Sequence, residues 1–157
     1  MISASLRGLY RLEFGRGVKQ LPEPEKKPAG LIRLLRKTES FLRHYFAGRR
    51  ASFEDLPVDW TGYRPFERCV LRALRRIPLG SLESYSSLAG KAGRPKAARY
   101  VGNVLGRNRL PIIVPCHRIV RKGTGWGGFS RGIRWKRELL KLEGVRADKK
   151  LKHQRTN

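Results

Sequence analysis

Cys116 and His117 stand side by side in Pro115-Cys116-His117-Arg118-Ile119-Val120, and a thiol next to an imidazole is how proteins build a nucleophile. The thiolate is the reactive form, and a neighbouring base or positive charge raises its fraction at neutral pH. His117, Arg118 and Arg121 all follow the thiol closely. Before it, Ile112 to Val114 read as a strand buried on both faces and ended by Pro115. A core cysteine beside an unrelated histidine is the bland reading of any Cys-His pair, so the weight falls on what else in the chain converges there.

One such feature is Glu143. In the helical stretch Ile133 to Glu143, Leu139 and Leu140 define an inward face, and a residue three and four positions later points the same way. An inward carboxylate needs a partner. A histidine suits it, because a carboxylate that accepts one ring N–H fixes the tautomer and leaves the other nitrogen free to act as a base. Periodicity leaves a second reading open, a frayed helix end with Glu143 in solvent.

Charge narrows what the nucleophile acts on. The 157 residues carry 36 Lys and Arg against 12 Asp and Glu, a formal charge of +24. Only a polyanionic partner makes that imbalance useful, and nucleic acid leads that class. No apolar run approaches the ~18 residues that cross a bilayer, and the N-terminus lacks the continuous apolar stretch of a secretory signal, so a cytoplasmic protein with no membrane partner is expected. Two cysteines and three histidines make neither a disulfide framework nor a metal site. Cys116 is expected to stay a free thiol.

The elements that must position these residues follow from periodicity. Residues 1–60 read as a small N-terminal α/β domain. Leu9 to Phe14 alternates from Tyr10 onward as a half-buried strand that ends at Gly15 to Gly17, and Leu21 to Gly30 is a polar loop. Leu31, Leu34, Leu35, Thr38, Phe41, Leu42, Tyr45 and Phe46 then line one face of a long helix stopped by Gly48, with His44 off the stripe in solvent. Residues 61–146 read as a mainly helical C-terminal domain. Its first helix is opened by Pro65 and closed at Ile77-Pro78, with Phe66, Val70, Leu74 and Ile77 inward and Cys69, beside Val70, a small buried hydrophobe. Ser84 then caps a helix over Tyr85 to Lys91, Ala92 to Arg94 turn the chain, and Pro95 opens a second helix to Leu105, the spacing of a helix-turn-helix. On that second helix Ala97, Ala98, Val101, Val104 and Leu105 face the core. Lys96, Arg99, Asn103 and Arg107 face outward among small residues that let backbone approach a phosphate chain. Residues 147–157 are a basic tail, expected to be disordered. The fold class is α+β.

Ile77-Pro78-Leu79-Gly80, Ser84-Tyr85, Ala97 to Gly102, Asn108, Pro115 to Val120 and Leu139 to Gly144 together resemble the O6-alkylguanine-DNA alkyltransferases, over about residues 40 to 144. The family often has tyrosine where Leu79 and Phe129 stand, and a Gly-Gly pair where this chain has Arg131-Gly132. The resemblance implies a winged helix-turn-helix, a short active-site strand and a monomer that binds double-stranded DNA, rotates O6-alkylguanine out of the stack and takes the alkyl group onto Cys116 in a single turnover. It implies His117 as the base through a bridging water, Glu143 as its orienting carboxylate and Asn108 as the holder of the turn between recognition helix and nucleophile. Tyr85 would hydrogen-bond the guanine N3 and Ser130 would face O6 through its N–H. The carbonyls of Cys116 and Ile119 would receive the exocyclic amine, and Arg99 would fill the vacated stack. Lys96, Tyr100, Asn103 and Arg107 complete the implied DNA-contacting set. Displacement at an alkyl carbon needs a soft nucleophile and a stabilised leaving purine, so no metal or cofactor is expected. Three other readings are weaker. A winged-helix regulator leaves Cys116 and His117 unexplained, a cysteine hydrolase leaves the charge unexplained, and an alkyltransferase-like lesion binder would lack the acceptor cysteine.

Overall fold

The computed structural model describes residues 1–13, 28–49, 51–122 and 125–145, which form two compact units divided between Gly62 and Tyr63. The expected ends of the first strand at Phe14 to Gly17, most of the polar loop and the basic tail lie outside the described residues.

In the first unit, β1 (Ile2–Ser5) pairs antiparallel with β2 (Gly8–Leu12), and helix α1 (Ala29–Phe46) packs on the hairpin through Thr38, Leu42 and Tyr45. The simple alternation expected from Tyr10 fails. Ser3 pairs with Arg11 but Ala4 pairs with Leu9, so Tyr10 is an extra residue in the ladder, and Leu9 and Leu12 both turn inward while Tyr10 faces out. Two further expectations are corrected on α1. Its first turn already contains Ala29 and Gly30, and Phe46 at its end is exposed, whereas His44 is exposed as read. The segment after α1 closes the unit: Phe53 packs its ring against Tyr45 and Phe41, and Leu9 donates to the Pro57 carbonyl at 2.8 Å while Asp59 donates back to Leu9 at 2.8 Å.

The second unit packs α2 (Pro65–Arg75), α3 (Tyr85–Lys91) and α4 (Ala98–Gly106) against one another, with Val70, Leu71, Leu74, Leu88, Ala89, Val101, Val104 and Leu105 buried between them. Ser84 caps α3 by accepting from the Ser87 N–H at 3.1 Å, and the turn at Ala92 to Arg94 leads into a single 3₁₀ turn, Pro95–Ala97, that continues as α4. Cys69 is exposed. Neighbours in sequence stand about 100° apart on a helix, so a place beside buried Val70 did not bury it. Two short strands, β3 (Glu83–Ser84) and β4 (Ile119–Val120), pair in parallel and fix the nucleophile segment to the start of α3, and α5 (Ile133–Leu142) packs across that segment.

The strand expected over Ile112 to Val114 is a turn. Its residues are buried as read, but Val114 donates to the Leu110 carbonyl at 2.8 Å, and Ile112 adopts φ +74°, a conformation a β-branched side chain rarely takes. The short strand of this segment is instead β4, which begins three residues after Cys116.

Gly8 generates a test of the first unit. It holds φ +137°, and a Cβ there would lie 2.6 Å from the Pro57 carbonyl carbon and oxygen. Gly8→Ala should cost on the order of 2–4 kcal/mol, combining backbone strain with overpacking. Urea unfolding should show a lower midpoint, and an unchanged midpoint would mean that β2 is not held against the 57–59 segment.

Candidate active site

Cys116 opens a 3₁₀ turn, Cys116–Arg118, that follows directly on the buried 110–114 turn. Pro115 has φ −82° and ψ 66°, and the Cys116 N–H donates to the Val114 carbonyl at 2.9 Å, an inverse γ-turn that swings the chain sharply at the thiol. Asn108, just past α4, staples this geometry. Its Nδ2 donates to the Val114 carbonyl at 2.7 Å and to Cys116 Sγ at 3.1 Å, and its Oδ1 accepts from the Leu110 N–H at 3.0 Å. The residue therefore couples the end of α4 to the sulfur itself.

His117 and Glu143 meet, which settles the open reading of the helix end. His117 is 0% exposed and Glu143 7%, and His117 Nε2 lies 2.7 Å from Glu143 Oε1. Arg118 completes the arrangement with Nε on Oε2 and Nη2 on Oε1, both at 2.9 Å, a bidentate fork on the same carboxylate, while Nη1 donates to the Ile77 carbonyl and the Gly80 N–H reaches Oε2 at 3.2 Å. Burial alone would push the Glu143 carboxyl up, but the hydrogen bonds from His117 and Arg118 and their charges more than offset it and hold the group at about 2. Burial pulls His117 below its ordinary value, against the opposing pull of Glu143, so the ring is neutral at pH 7. It follows that Nε2 carries the proton given to Glu143 and Nδ1 is the basic nitrogen. Nδ1 is buried and has no hydrogen-bond partner among the described residues.

The thiol departs from expectation. Burial raises its pKa above the ordinary value, against the hydrogen bond from Asn108 and the charges of Lys136 and Arg131. Arg118, expected to act on the sulfur, is committed to Glu143; the cations acting on Cys116 are Lys136 and Arg131. The resting side chain is thus a protonated thiol, in sequence next to a neutral imidazole whose Nδ1 has no hydrogen-bond partner among the described residues. Lys136 escaped notice in the sequence. It is 0% exposed, its Nζ donates to the carbonyls of Ile119 and Trp126, and burial pulls it down to about 8. The signal was present, since Lys136, Leu139, Leu140 and Glu143 share one helical spacing, but a lysine is ordinarily read as solvated.

The thiol lies in a cavity of about 150 Å³ lined by Tyr85, Gly102, Leu105, Phe129 and Ser130, among others. That is well under the roughly 300–1,000 Å³ of pockets for drug-sized ligands and suits one planar ring. Tyr85 stands between two glycines. Gly102 of α4 has its Cβ position 3.7 Å from the ring, and a Cβ on Gly127, which has φ +65°, would fall 2.9 Å from the hydroxyl, a constraint the sequence reading did not identify. Burial raises the Tyr85 phenol, so it remains a donor. Ile119 lies outside the residues that line the cavity, and its carbonyl already accepts from Lys136.

Lys96 in the 3₁₀ turn and Arg99 and Asn103 on α4 are exposed. Arg107 and Tyr100 are not free on that face. Glu67, 2% exposed, accepts from the Tyr100 hydroxyl at 3.0 Å and from Arg107 Nη2, and also from the Arg64 N–H at 3.0 Å in the first turn of α2, so both residues tie α4 to α2. Sequence reasoning missed Glu67, whose place on the inward stripe beside Val70 was the available sign. Among the described residues no group of three or more His, Cys, Asp or Glu could hold a metal ion, and no helix is long and apolar enough to cross a membrane.

The Glu143 contacts carry a stability test. Because folding lowers the carboxylate pKa, its contribution is full above the unfolded value near 4.3 and is lost as pH falls towards 2. Neutral buried His117 adds an earlier loss below 6.5, where only the unfolded ring takes up a proton. Glu143→Gln, which leaves Arg118 buried without its counter-charge, should cost on the order of 3 kcal/mol at pH 7. The gap to the parent in denaturant midpoint should close as pH falls below 4; a gap that is constant with pH would remove the carboxylate charge from the account.

Residues 65–145 match the pattern of the 6-O-methylguanine DNA methyltransferase DNA-binding domain. The methylated-DNA–protein-cysteine methyltransferase of Methanopyrus kandleri is 43% identical over 127 residues, covering 80% of this chain and 92% of that one. The same-named protein of Shigella flexneri is 44% identical over 103 residues, covering 66% of this chain and 60% of the relative. Among solved structures, Mycobacterium tuberculosis OGT in complex with DNA superposes with a TM-score of 0.73 at 34% identity, over 96% of this chain and 90% of that one. The O6-methylguanine-DNA methyltransferase of Pyrococcus kodakaraensis gives 0.54 at 31% identity, over 83% and 71%. On the pattern, the sequences and the superposed structures alike, this chain belongs to the methylated-DNA–protein-cysteine methyltransferase family.

Proposed function

We propose that this protein repairs O6-alkylguanine in double-stranded DNA by moving the alkyl group onto Cys116, once per molecule, with no metal or cofactor. The observation that carries the reading is a buried thiol in a cavity sized for one base, next to a neutral imidazole whose Nε2 is locked on Glu143 and whose Nδ1 has no hydrogen-bond partner among the described residues. His117 takes the thiol proton through a bridging water, sulfur attacks the alkyl carbon, and the C–O6 pair stays on guanine, where the Tyr85 hydroxyl donates to N3. The Ser130 N–H faces O6, and the Cys116 carbonyl uses its second lone pair for the exocyclic amine. Among the described residues none is placed to cleave the resulting thioether, which makes the protein its own stoichiometric reagent.

Duplex DNA meets a winged helix-turn-helix formed by α3, the Ala92 to Arg94 turn and α4. Lys96 and Asn103 contact the backbone, and Arg99 replaces the extruded base, offsetting an unstacking cost of a few kcal/mol. Arg107 and Tyr100 serve this surface indirectly, by holding α4 through Glu67. The protein acts as a cytoplasmic monomer.

Two experiments test the reading. Incubation with excess duplex containing O6-methylguanine, followed by digestion and mass spectrometry, should place one methyl on the Cys116 peptide, restore guanine in the DNA and plateau at one event per protein, while Cys116→Ser abolishes transfer and retains duplex binding. Product that keeps rising past the protein concentration, or a protein left unmethylated, overturns it. Arg99→Ala should slow transfer from duplex far more than from free O6-methylguanine base, and equal losses on the two substrates would remove Arg99 from base extrusion.

A further inference from the structure

Asn108 reaches the Cys116 sulfur from just past the end of α4, where a helix no longer satisfies its own carbonyls. What holds it there comes from another element. Two residues before α2, the half-buried Tyr63 donates its hydroxyl to the Arg107 carbonyl at 3.1 Å and accepts from the Arg109 N–H at 3.1 Å. One oxygen thus grips both peptide groups that flank Asn108. Because peptide groups are planar and rigid, fixing these two sets φ and ψ of Asn108 and with them the direction in which its side chain leaves the backbone. The tyrosine is itself held. Arg109 lays its guanidinium 4.4 Å from the ring centroid, and the Tyr63 carbonyl accepts from Arg68 Nε on α2 at 2.8 Å.

We propose that the Tyr63 hydroxyl is a positioning group for the nucleophile: by setting the backbone of Asn108 it aims Asn108 Nδ2 at the Cys116 sulfur. The inference rests on the alkyl-transfer reading above for what the sulfur then does. A hydrogen bond weakens steeply as its donor turns away, and the contact from Nδ2 to Sγ has a direction to lose. At a half-buried position water can take the place of the phenol on the Arg107 carbonyl and the Arg109 N–H, but a water molecule does not hold both peptide groups in one geometry. Loss of the hydroxyl therefore loosens the aim and keeps the fold. The Asn108 contact favours thiolate over thiol, so loosening it keeps the proton on sulfur to higher pH. The other titratable and charged groups that bear on Cys116, namely His117 beside it, Tyr85 in the cavity wall, Lys136 of α5 and Arg131, are unchanged by a substitution at Tyr63.

Tyr63→Phe removes the hydroxyl and leaves the ring under Arg109. The Cys116 thiol can be titrated directly through the resonance of its carbon-13-labelled Cβ, with Cys69→Ser identifying the other cysteine signal. In Tyr63→Phe the midpoint should rise by about half a pH unit, a part of what one whole hydrogen bond to a charged group supplies. Single-turnover transfer from a duplex with O6-methylguanine should correspondingly slow about threefold below the inflection of its pH profile and match the parent above it. Asn108→Ala should raise the midpoint further, and Tyr63→Phe added to it should change nothing more, because the two act in one chain. A thiol midpoint that does not move in Tyr63→Phe overturns the proposal, including where the urea midpoint falls, since Tyr63 would then only brace the end of α4. Additive shifts in the double variant overturn it as well. The Cβ titration needs no substrate, so a parent that fails to transfer methyl would bring down the alkyl-transfer reading and leave the Tyr63 assignment to be decided by the thiol.

Discussion

The buried Glu143 carboxylate is the constraint on which the rest of the site depends. A charge removed from water is tolerable only when its lone pairs are met, and here they are met by His117, by both arms of the Arg118 fork and by the Gly80 N–H. Those partners come from the nucleophile turn and from the loop after α2, and Arg118 reaches on to the Ile77 carbonyl in that loop. One carboxylate thereby fixes the end of α5, the turn carrying Cys116 and the segment leading into β3. The tautomer of His117 follows as a by-product of meeting this electrostatic demand. Catalytic orientation and structural integrity are here a single requirement.

The resting thiol shows what that arrangement achieves. Burial disfavours the thiolate, and the Asn108 hydrogen bond and the two nearby cations only partly oppose this. A permanently ionised, exposed thiolate would be open to oxidation and stray electrophiles. A protonated thiol beside a neutral base becomes nucleophilic only when its proton is taken up. On the proposed reading, in which Cys116 is consumed by its first reaction, such restraint protects the one event it can perform.

Much of this was legible in the sequence where local chemistry and packing agree. Ser84 capped α3 as its residue type requires, and the Leu139 and Leu140 face carried Glu143 inward because nothing at the end of α5 competes with that direction. Illegible features were those in which tertiary demands override local preference. Ile112 is β-branched and apolar, the composition of a strand, yet the Asn108 staple forces it through a left-handed turn. Tyr10 alternates on paper, but a bulge reverses its side. Lys136 carries a charge that ordinarily marks a surface, and only two carbonyls brought together by the fold explain its burial. Cys69 failed for the opposite reason, since a neighbour along the chain says little about what an adjacent helix offers.

The Glu67 triangle bears on how such a sequence can drift. Tyr100 and Arg107 both donate to one carboxylate that is almost wholly buried, and none of the three touches the chemistry. Loss of either donor leaves a nearly buried carboxylate less well met, and loss of Glu67 strips the half-buried Tyr100 hydroxyl of its acceptor, while Arg107, whose side chain is 59% exposed, turns to water. Substitutions at Glu67 and Tyr100 are therefore coupled, and Arg107 is the most replaceable of the three. The freedom to change is set here by how deeply each partner is buried rather than by the reaction.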